Sequence, residues 1–368
     1  MTILLLGEYS NVHATLAEGL RELGHKVTLL SNGDFWKDYP RDIDLVRKPG
    51  KIGGIIYYAR LRTILPRLRG YDIVQIINPM FLELKAERIL PIYKYLRKHN
   101  RKIVMGAFGM DYYWVNTCIT EKPLRYSDFN FADTIRHDAP AEQEYVDWLG
   151  TKKEQLNKFI AHDCDAIVTG LYEYDVCYRP AFPHKTTFIP YPIKIQKSFG
   201  SRPWLPSKPL AIKFFIGISK SRSTYKGTDI MLRALLRLQN AYPDKMEIIK
   251  AEGVPFDEYE KMMDKVDIVL DQLYSYTPAM NGLLAMSKGK VLVGGGEEEN
   301  YEILGEKELR PIVNVLPDED DVYLKLKQLV TDSEILPRLK QESVEYIRRH
   351  HDYLKVARQY EELYGKII

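Results

Sequence analysis

Short apolar runs alternate with amphipathic stretches along most of this chain. Residues 2–6 read as a buried strand, 14–23 as an amphipathic helix closed by Gly24, and 26–30 as a second strand. That succession predicts a parallel sheet with a right-handed crossover. The pattern continues with strands at 72–77, 102–106, 166–169 and 186–189. Helices fall at 84–99, at 140–161 with a break at Gly150, and at 172–178. A second series has strands at 211–217, 246–249, 267–270 and 290–293, with helices near 228–241, 256–265 and 279–287. Two helices, 333–350 and 352–365, close the chain. Between the series, 190–193 and 199–209 form the densest proline and glycine stretch, which reads as a linker. The expected fold class is α/β, with two doubly wound Rossmann-like domains facing a cleft. Their bounds are 1–195 and 196–350, with a terminal helix at 351–368.

Composition adds limits. At 368 residues the chain exceeds one ordinary core, so two domains are expected. A net charge of +3 gives no support to general nucleic-acid binding. The cysteines Cys118, Cys164 and Cys177 form no CxxC pair, which suits a reducing, cytoplasmic compartment. The first residues lack a basic region and a long apolar core, so no signal peptide is expected. No apolar run reaches the roughly 20 residues that span a bilayer.

Ligands of open parallel sheets bind beyond the carboxyl ends of the strands. The loops after Leu6, Gly106, Gly217 and Leu270 therefore hold the candidate chemistry. The loop 7–13 has one glycine where a dinucleotide fingerprint needs G-x-G-x-x-G, which argues against NAD or FAD. The loop after Gly217 places Lys220, Arg222 and Lys226 before Gly227 and a helix start. Cations beside the free N–H groups of a helix start make an anion site; the bland reading is a solvated basic loop. A second helix start near Ala279 brings Asn281, Gly282 and Leu283. Either they complete a diphosphate cradle with Arg222 and Lys226, or Asn281 and Gly282 only permit close helix–sheet packing.

The second half resembles the donor domain of GT-B glycosyltransferases, particularly family 4. The resemblance rests on Arg222, Lys226-Gly227-Thr228-Asp229 and Leu284-Ala-Met-Ser-Lys-Gly-Lys-Val-Leu-Val293. The first half resembles the acceptor domain through its opening strand–loop–helix and Gly109-Met-Asp111, and the last helix resembles the one that returns to that domain. The resemblance implies a sugar-nucleotide-dependent transferase using a UDP- or GDP-type donor, with no other cofactor and no required metal. It also implies retention of anomeric configuration, and a hinge near 190–209 whose closure expels water. One departure stands out. The family's two glutamates, eight positions apart, fall here on Tyr276 and Leu284. Glu297 and Glu299, after Gly294-Gly-Gly296, are the nearest replacements, and Tyr276 is kept as a donor-side residue that can stack on a sugar.

On the acceptor side the candidates are Glu8, His13 and Asp111. His13 reads otherwise as a capping or surface histidine, and Asp111 as a helix N-cap. Asp42-Ile-Asp44 and Asp163-Cys-Asp165 match a metal-binding D-x-D pattern but precede their apolar runs, on the wrong side of a strand. A basic segment, 47–69, carries Ile52, Ile55, Ile56, Ala59, Leu65 and Leu68 on one expected face. It reads as a core-packing helix with solvated cations, or as a peripheral contact with anionic lipid. The expected partners are a nucleotide-sugar donor and a glycan or lipid-linked acceptor. A sugar-nucleotide epimerase and a non-catalytic binding subunit stay open as alternatives.

Overall fold

The computed structural model describes residues 1–195, 211–219 and 223–368. Lys220, Arg222 and the proline-rich stretch 199–209 lie outside the described residues. The chain divides into two compact units. One comprises Met1–Pro123, Gln143–Pro192 and Tyr353–Ile368; the other comprises Leu124–Glu142 and Ile193–Asp352.

The strands in chain order begin with β1 (Thr2–Leu6), β2 (Lys26–Ser31), β3 (Ile43–Asp44), β4 (Ile73–Ile76) and β5 (Lys102–Ala107). A short antiparallel hairpin follows, β6 (Asn130–Phe131) with β7 (Thr134–Ile135). Next come β8 (Ala166–Thr169) and β9 (Thr186–Phe188). The first unit holds a parallel sheet of order β3-β2-β1-β4-β5-β8-β9. The chain runs outward from β1 to β3, then returns to β4 on the other side of β1. The switch point lies between β1 and β4, so their following loops splay apart and leave a crevice. Helices cover both faces of this sheet's apolar strands, whose residues Ile3–Leu6 and Ile73–Ile76 are buried.

The second unit repeats the plan with β10 (Ile212–Ile218), β11 (Met246–Glu252), β12 (Ile268–Leu270), β13 (Val291–Gly294) and β14 (Val313–Asn314). The parallel order is β11-β10-β12-β13-β14, with the switch point between β10 and β12. Strand periodicity sends alternate residues of β10 to opposite layers. Phe214 and Ile216 pack with Met231, Leu235 and Leu238, whereas Phe215 packs with Ala251, Met263 and Ala285.

The terminal helix Tyr353–Ile367 packs in the first unit against the helix Val12–Glu22. Val356, Ala357, Tyr360, Leu363 and Tyr364 are its buried stripe. Tyr353 donates to Glu22 at 2.7 Å, and His25 meets Glu361 at 2.9 Å. Tyr364 donates its hydroxyl to Gln75 Oε1 at 2.7 Å in the core.

One expectation needs correction. Residues 124–142 belong to the second unit, although the sequence places them inside a 1–195 domain. Ion pairs from Arg125 and the stacking of Arg136 hold them there. After β5 a helix (Tyr112–Thr120) starts, capped by Asp111. Among the described residues no helix is long and apolar enough to cross a membrane.

The Tyr364 bond yields a stability prediction. Tyr364→Phe leaves Gln75 Oε1 buried without its donor and is expected to cost about 1–3 kcal/mol in urea denaturation. Unchanged stability would show that the last helix does not close this core.

Candidate functional site

Each switch point carries a candidate site. In the first unit, a cleft of 980 Å³ opens there, lined by the loops after β1 and β4. Glu8 and Tyr9 stand at its β1 side and Met80, Phe81 and Leu82 at its β4 side. Cations reach its walls from other elements: Arg47, Lys51, Lys85, Arg88, Lys152 and Lys153. The loop after β1 is held in a costly shape, because Ser10 (φ 51°) and Asn11 (φ 72°) occupy the left-handed region.

Glu8 is the buried carboxyl of this cleft. It accepts from the backbone N–H of His13 at 3.2 Å and of Ala14 at 2.7 Å. Burial outweighs those bonds and pushes its pKa up to about 8. His13 and Asp111, the other two acceptor-side candidates, are placed otherwise. His13 is fully buried, with Nδ1 2.9 Å from Gly7 O and Nε2 3.1 Å from the Gln75 amide. Burial lowers its pKa to about 3, so the ring stays neutral with both nitrogens engaged. Asp111 is also fully buried. Its Oδ1 caps the helix at Trp114 N (2.9 Å), and Oδ2 accepts from the Tyr178 hydroxyl (2.6 Å). Burial raises its pKa to about 6. Neither residue lines this cleft, and both side chains are engaged in bonds inside the unit. They are polar residues beside the right loops whose side chains turn inward.

In the second unit, the loops after β10 and β12 are tied together by Leu273 N donating to Lys226 O at 2.9 Å. Lys226 ends the short helix Ser223–Lys226, and Gly227 caps the next helix, Thr228–Ala241, in a left-handed conformation (φ 70°). The helix Met280–Ser287 starts beyond the β12 loop without a side-chain cap. The N–H groups of Met280, Asn281 and Gly282 have no acceptor among the described residues, as the opening turn of an α-helix leaves them. Leu283 does not share this role, because its N–H already bonds Ala279 O at 2.9 Å and its side chain is core. Gly282 faces the sheet: a Cβ there would lie 2.9 Å from Leu292 Cδ2. Asn281 spends its amide on Asp271 Oδ1 and the Tyr259 hydroxyl, each at 3.0 Å. Asn281 and Leu283 thus have their side chains engaged within the protein, Gly282 leaves room for the sheet, and the unbonded N–H groups of this helix start are what it offers an anion.

The replacement glutamates are also committed. Glu299 binds Arg125 through both oxygens, at 2.5 and 3.1 Å. Glu297 takes Arg125 at 2.7 Å, the Tyr126 hydroxyl and the Asn314 amide. Arg125 lowers the Glu299 pKa against the opposing effect of burial. The glycines before them serve contact within the protein, since a Cβ at Gly295 would collide with Ser275 O. Tyr276 is buried, accepts the Arg125 N–H at 2.6 Å and lies under its guanidinium at 4.9 Å. Burial pushes its pKa up to about 12. Arg136 stacks on Tyr274 at 3.8 Å, and Tyr225 donates to Asp128 at 2.5 Å. Residues 124–142 thus form a strap across the loop 274–276 and the turn 297–299. Sequence reasoning missed Arg125, because nothing local links it to glutamates over 170 positions away.

The D-x-D carboxylates are taken up in structural bonds. Asp42 pairs with Arg21 and Asp44 with Arg41; Asp163 accepts from Tyr93, and Asp165 pairs with Arg97 and Lys102. Among the described residues no cluster of three His, Cys, Asp or Glu side chains has metal-binding geometry.

Comparison with solved structures shows the fold. HepE from Anabaena, in complex with UDP-glucose, superposes with a TM-score of 0.60 at 11% identity, covering 100% of both chains. Sucrose-phosphate synthase from Thermosynechococcus elongatus gives 0.62 at 12% identity, covering 100% of this chain and 99% of that one. UDP-GlcNAc 2-epimerase from Neisseria meningitidis, bound to UDP-GlcNAc, gives 0.56 at 13% identity over the whole of both chains. No protein-family model matches the chain. No curated protein matches it in sequence. The architecture is the GT-B fold, with two Rossmann-like units.

Glu8 supports a pH prediction. Its folded pKa of about 8 stands above the ordinary 4.5, so the fold prefers the neutral carboxyl. The stability it contributes is present below pH 4.5 and is lost as pH rises toward 8. Glu8→Gln is expected to gain stability relative to the unaltered protein across that window, on the order of a few kcal/mol. A gap between the two proteins that stays constant from pH 4.5 to 8 would show that Glu8 ionises normally.

Proposed function

We propose that the protein is a sugar-nucleotide-dependent glycosyltransferase. It moves a sugar from a UDP- or GDP-type donor to a hydroxyl of a glycan or lipid-linked glycan. The observation that carries the reading is the GT-B fold itself, shared with solved proteins that hold UDP-sugars. The second unit is the donor side in this reading. As the sugar–phosphate bond breaks, negative charge collects on the departing diphosphate. Lys226, Arg222 and the free N–H groups at the start of the Met280–Ser287 helix would stabilise that charge. The first unit is the acceptor side, with its cleft at the β1–β4 switch point.

The proposed stereochemistry is retention without a required metal. A leaving phosphate oxygen then takes the acceptor proton, and no protein base is essential. Burial of His13 and Asp111 fits that economy. Should the reaction invert, Glu8 is the one acceptor-side candidate that lines the cleft, and its raised pKa suits proton transfer near neutrality. The proposed setting is the cytoplasm.

Two observations keep other readings in view. One similar structure is an epimerase, which needs no acceptor. The tyrosine and leucine at positions 276 and 284, where family 4 has glutamates, suit a binding subunit without turnover. Incubation with donor alone separates epimerisation from transfer.

A thermal-shift panel of UDP-, GDP-, ADP- and CMP-sugars is the direct test, with stabilisation expected from a UDP- or GDP-sugar. Stabilisation by none of them would end the proposal. Arg222→Ala with Lys226→Ala is expected to weaken the stabilising donor at least about tenfold while the protein stays folded. Unchanged affinity would remove the phosphate role from both residues.

A further inference from the structure

The helix Gly50–Ile64 has two faces, and its apolar residues occupy both. Gly53, Tyr57 and Leu61 recur every four residues and are buried. Leu65 and Leu68 continue that buried line, whereas the sequence pattern groups them with the isoleucines. At about 100° per residue, Ile52, Ile55, Ile56 and Ala59 fall on the side away from the core. The three isoleucines are 74%, 67% and 57% exposed. The helix already packs through its other face, so core packing does not account for them.

Charge narrows what fits this strip. From Leu45 to Tyr71 the chain carries seven Lys and Arg residues and no Asp or Glu. Lys48, Lys51, Arg62 and Arg67 have no carboxylate partner among the described residues. Arg60 has only a long contact with Asp44, 3.6 Å. The strip also continues into the cleft of the same unit, since Lys51 and Ile55 line both. Phe35 and Val146, 65% and 71% exposed, stand on the cleft wall as well. A branched apolar ridge set among unpaired cations, with no acidic residue in 27 positions, complements an anionic bilayer surface.

We propose that this face docks the protein on an anionic membrane. Ile52, Ile55 and Ile56 enter the boundary between headgroups and acyl chains, and the cations meet anionic headgroups. Docking places the cleft mouth at the bilayer, so the acceptor is a lipid-borne molecule entering from that surface. The acceptor clause rests on the transferase reading; the docking surface does not.

The test is sedimentation of the full chain with vesicles. One set is phosphatidylcholine alone; the other contains about one-third phosphatidylglycerol. Binding is expected to the anionic set, falling as salt rises. Ile52→Glu with Ile56→Glu is expected to weaken it about tenfold or more, and Lys48→Glu with Arg62→Glu likewise. Neither pair lies in the donor loops, so donor-induced thermal shifts are expected to hold. No sedimentation with anionic vesicles at low salt overturns the proposal, and so does equal binding by the isoleucine variant. Retention on RNA without vesicle binding assigns the face to a nucleic acid. Loss of a dimer in the isoleucine variant, again without vesicle binding, assigns it to a second copy of the chain. Either result overturns membrane docking. If vesicles bind while no nucleotide sugar stabilises the protein, the transferase reading fails and the docking surface stands.

Discussion

A buried chain of hydrogen bonds carries the first unit. His13 donates Nδ1–H to Gly7 O, the Gln75 amide donates to His13 Nε2, and Tyr364 donates to Gln75 Oε1. All three side chains are fully buried, so each polar atom depends on the next for a partner. Together they bind the loop after β1, the strand β4 and the final helix. Glu8 is positioned from the same loop, through the N–H groups of His13 and Ala14. The cleft floor, the switch point and the docking of the last helix therefore share one support.

The second unit obeys a different constraint, the neutralisation of acids. Glu297 and Glu299 sit on one turn, where two carboxylates concentrate negative charge. Arg125 bridges both, and the Tyr126 hydroxyl takes a further lone pair. The charge of the turn is thereby balanced within the protein, and its carboxylates are taken up by Arg125, Tyr126 and Asn314. Tyr276, itself buried, lies under the Arg125 guanidinium that holds these glutamates, so the loop and the turn are fastened by one residue.

The elements were legible where the pattern was regular. β1, β8 and the helices Tyr172–Tyr178 and Thr228–Ala241 match their expected bounds. The periodicity of buried strands and amphipathic helices is local, and so survives without a structure. The two-residue strands β3 and β14 carry no such period. Loop chemistry was legible as location but not as orientation. His13, Asp111, Asn281 and Gly282 all lie in loops or first helical turns that follow a strand. Whether each side chain turns outward or inward is decided by Gln75, Tyr178, Asp271 and Leu292, residues distant in sequence. Arg125 belongs to the same class. The helix 50–64 shows the converse, since its apolar pattern was visible and only burial separates the core line from the exposed one.

The division of the chain has a consequence for the order of synthesis. The first unit lacks the helix Tyr353–Ile367 until long after its sheet is made, and Gln75 awaits a tyrosine 289 positions later. The strap 124–142 is made before any part of the sheet it crosses. A nascent chain on the ribosome therefore carries unmatched polar groups and an uncovered apolar face through most of its translation. Neither half can be completed by cutting the gene at the linker. A fragment meant to fold as one unit must take residues from both sides of that cut.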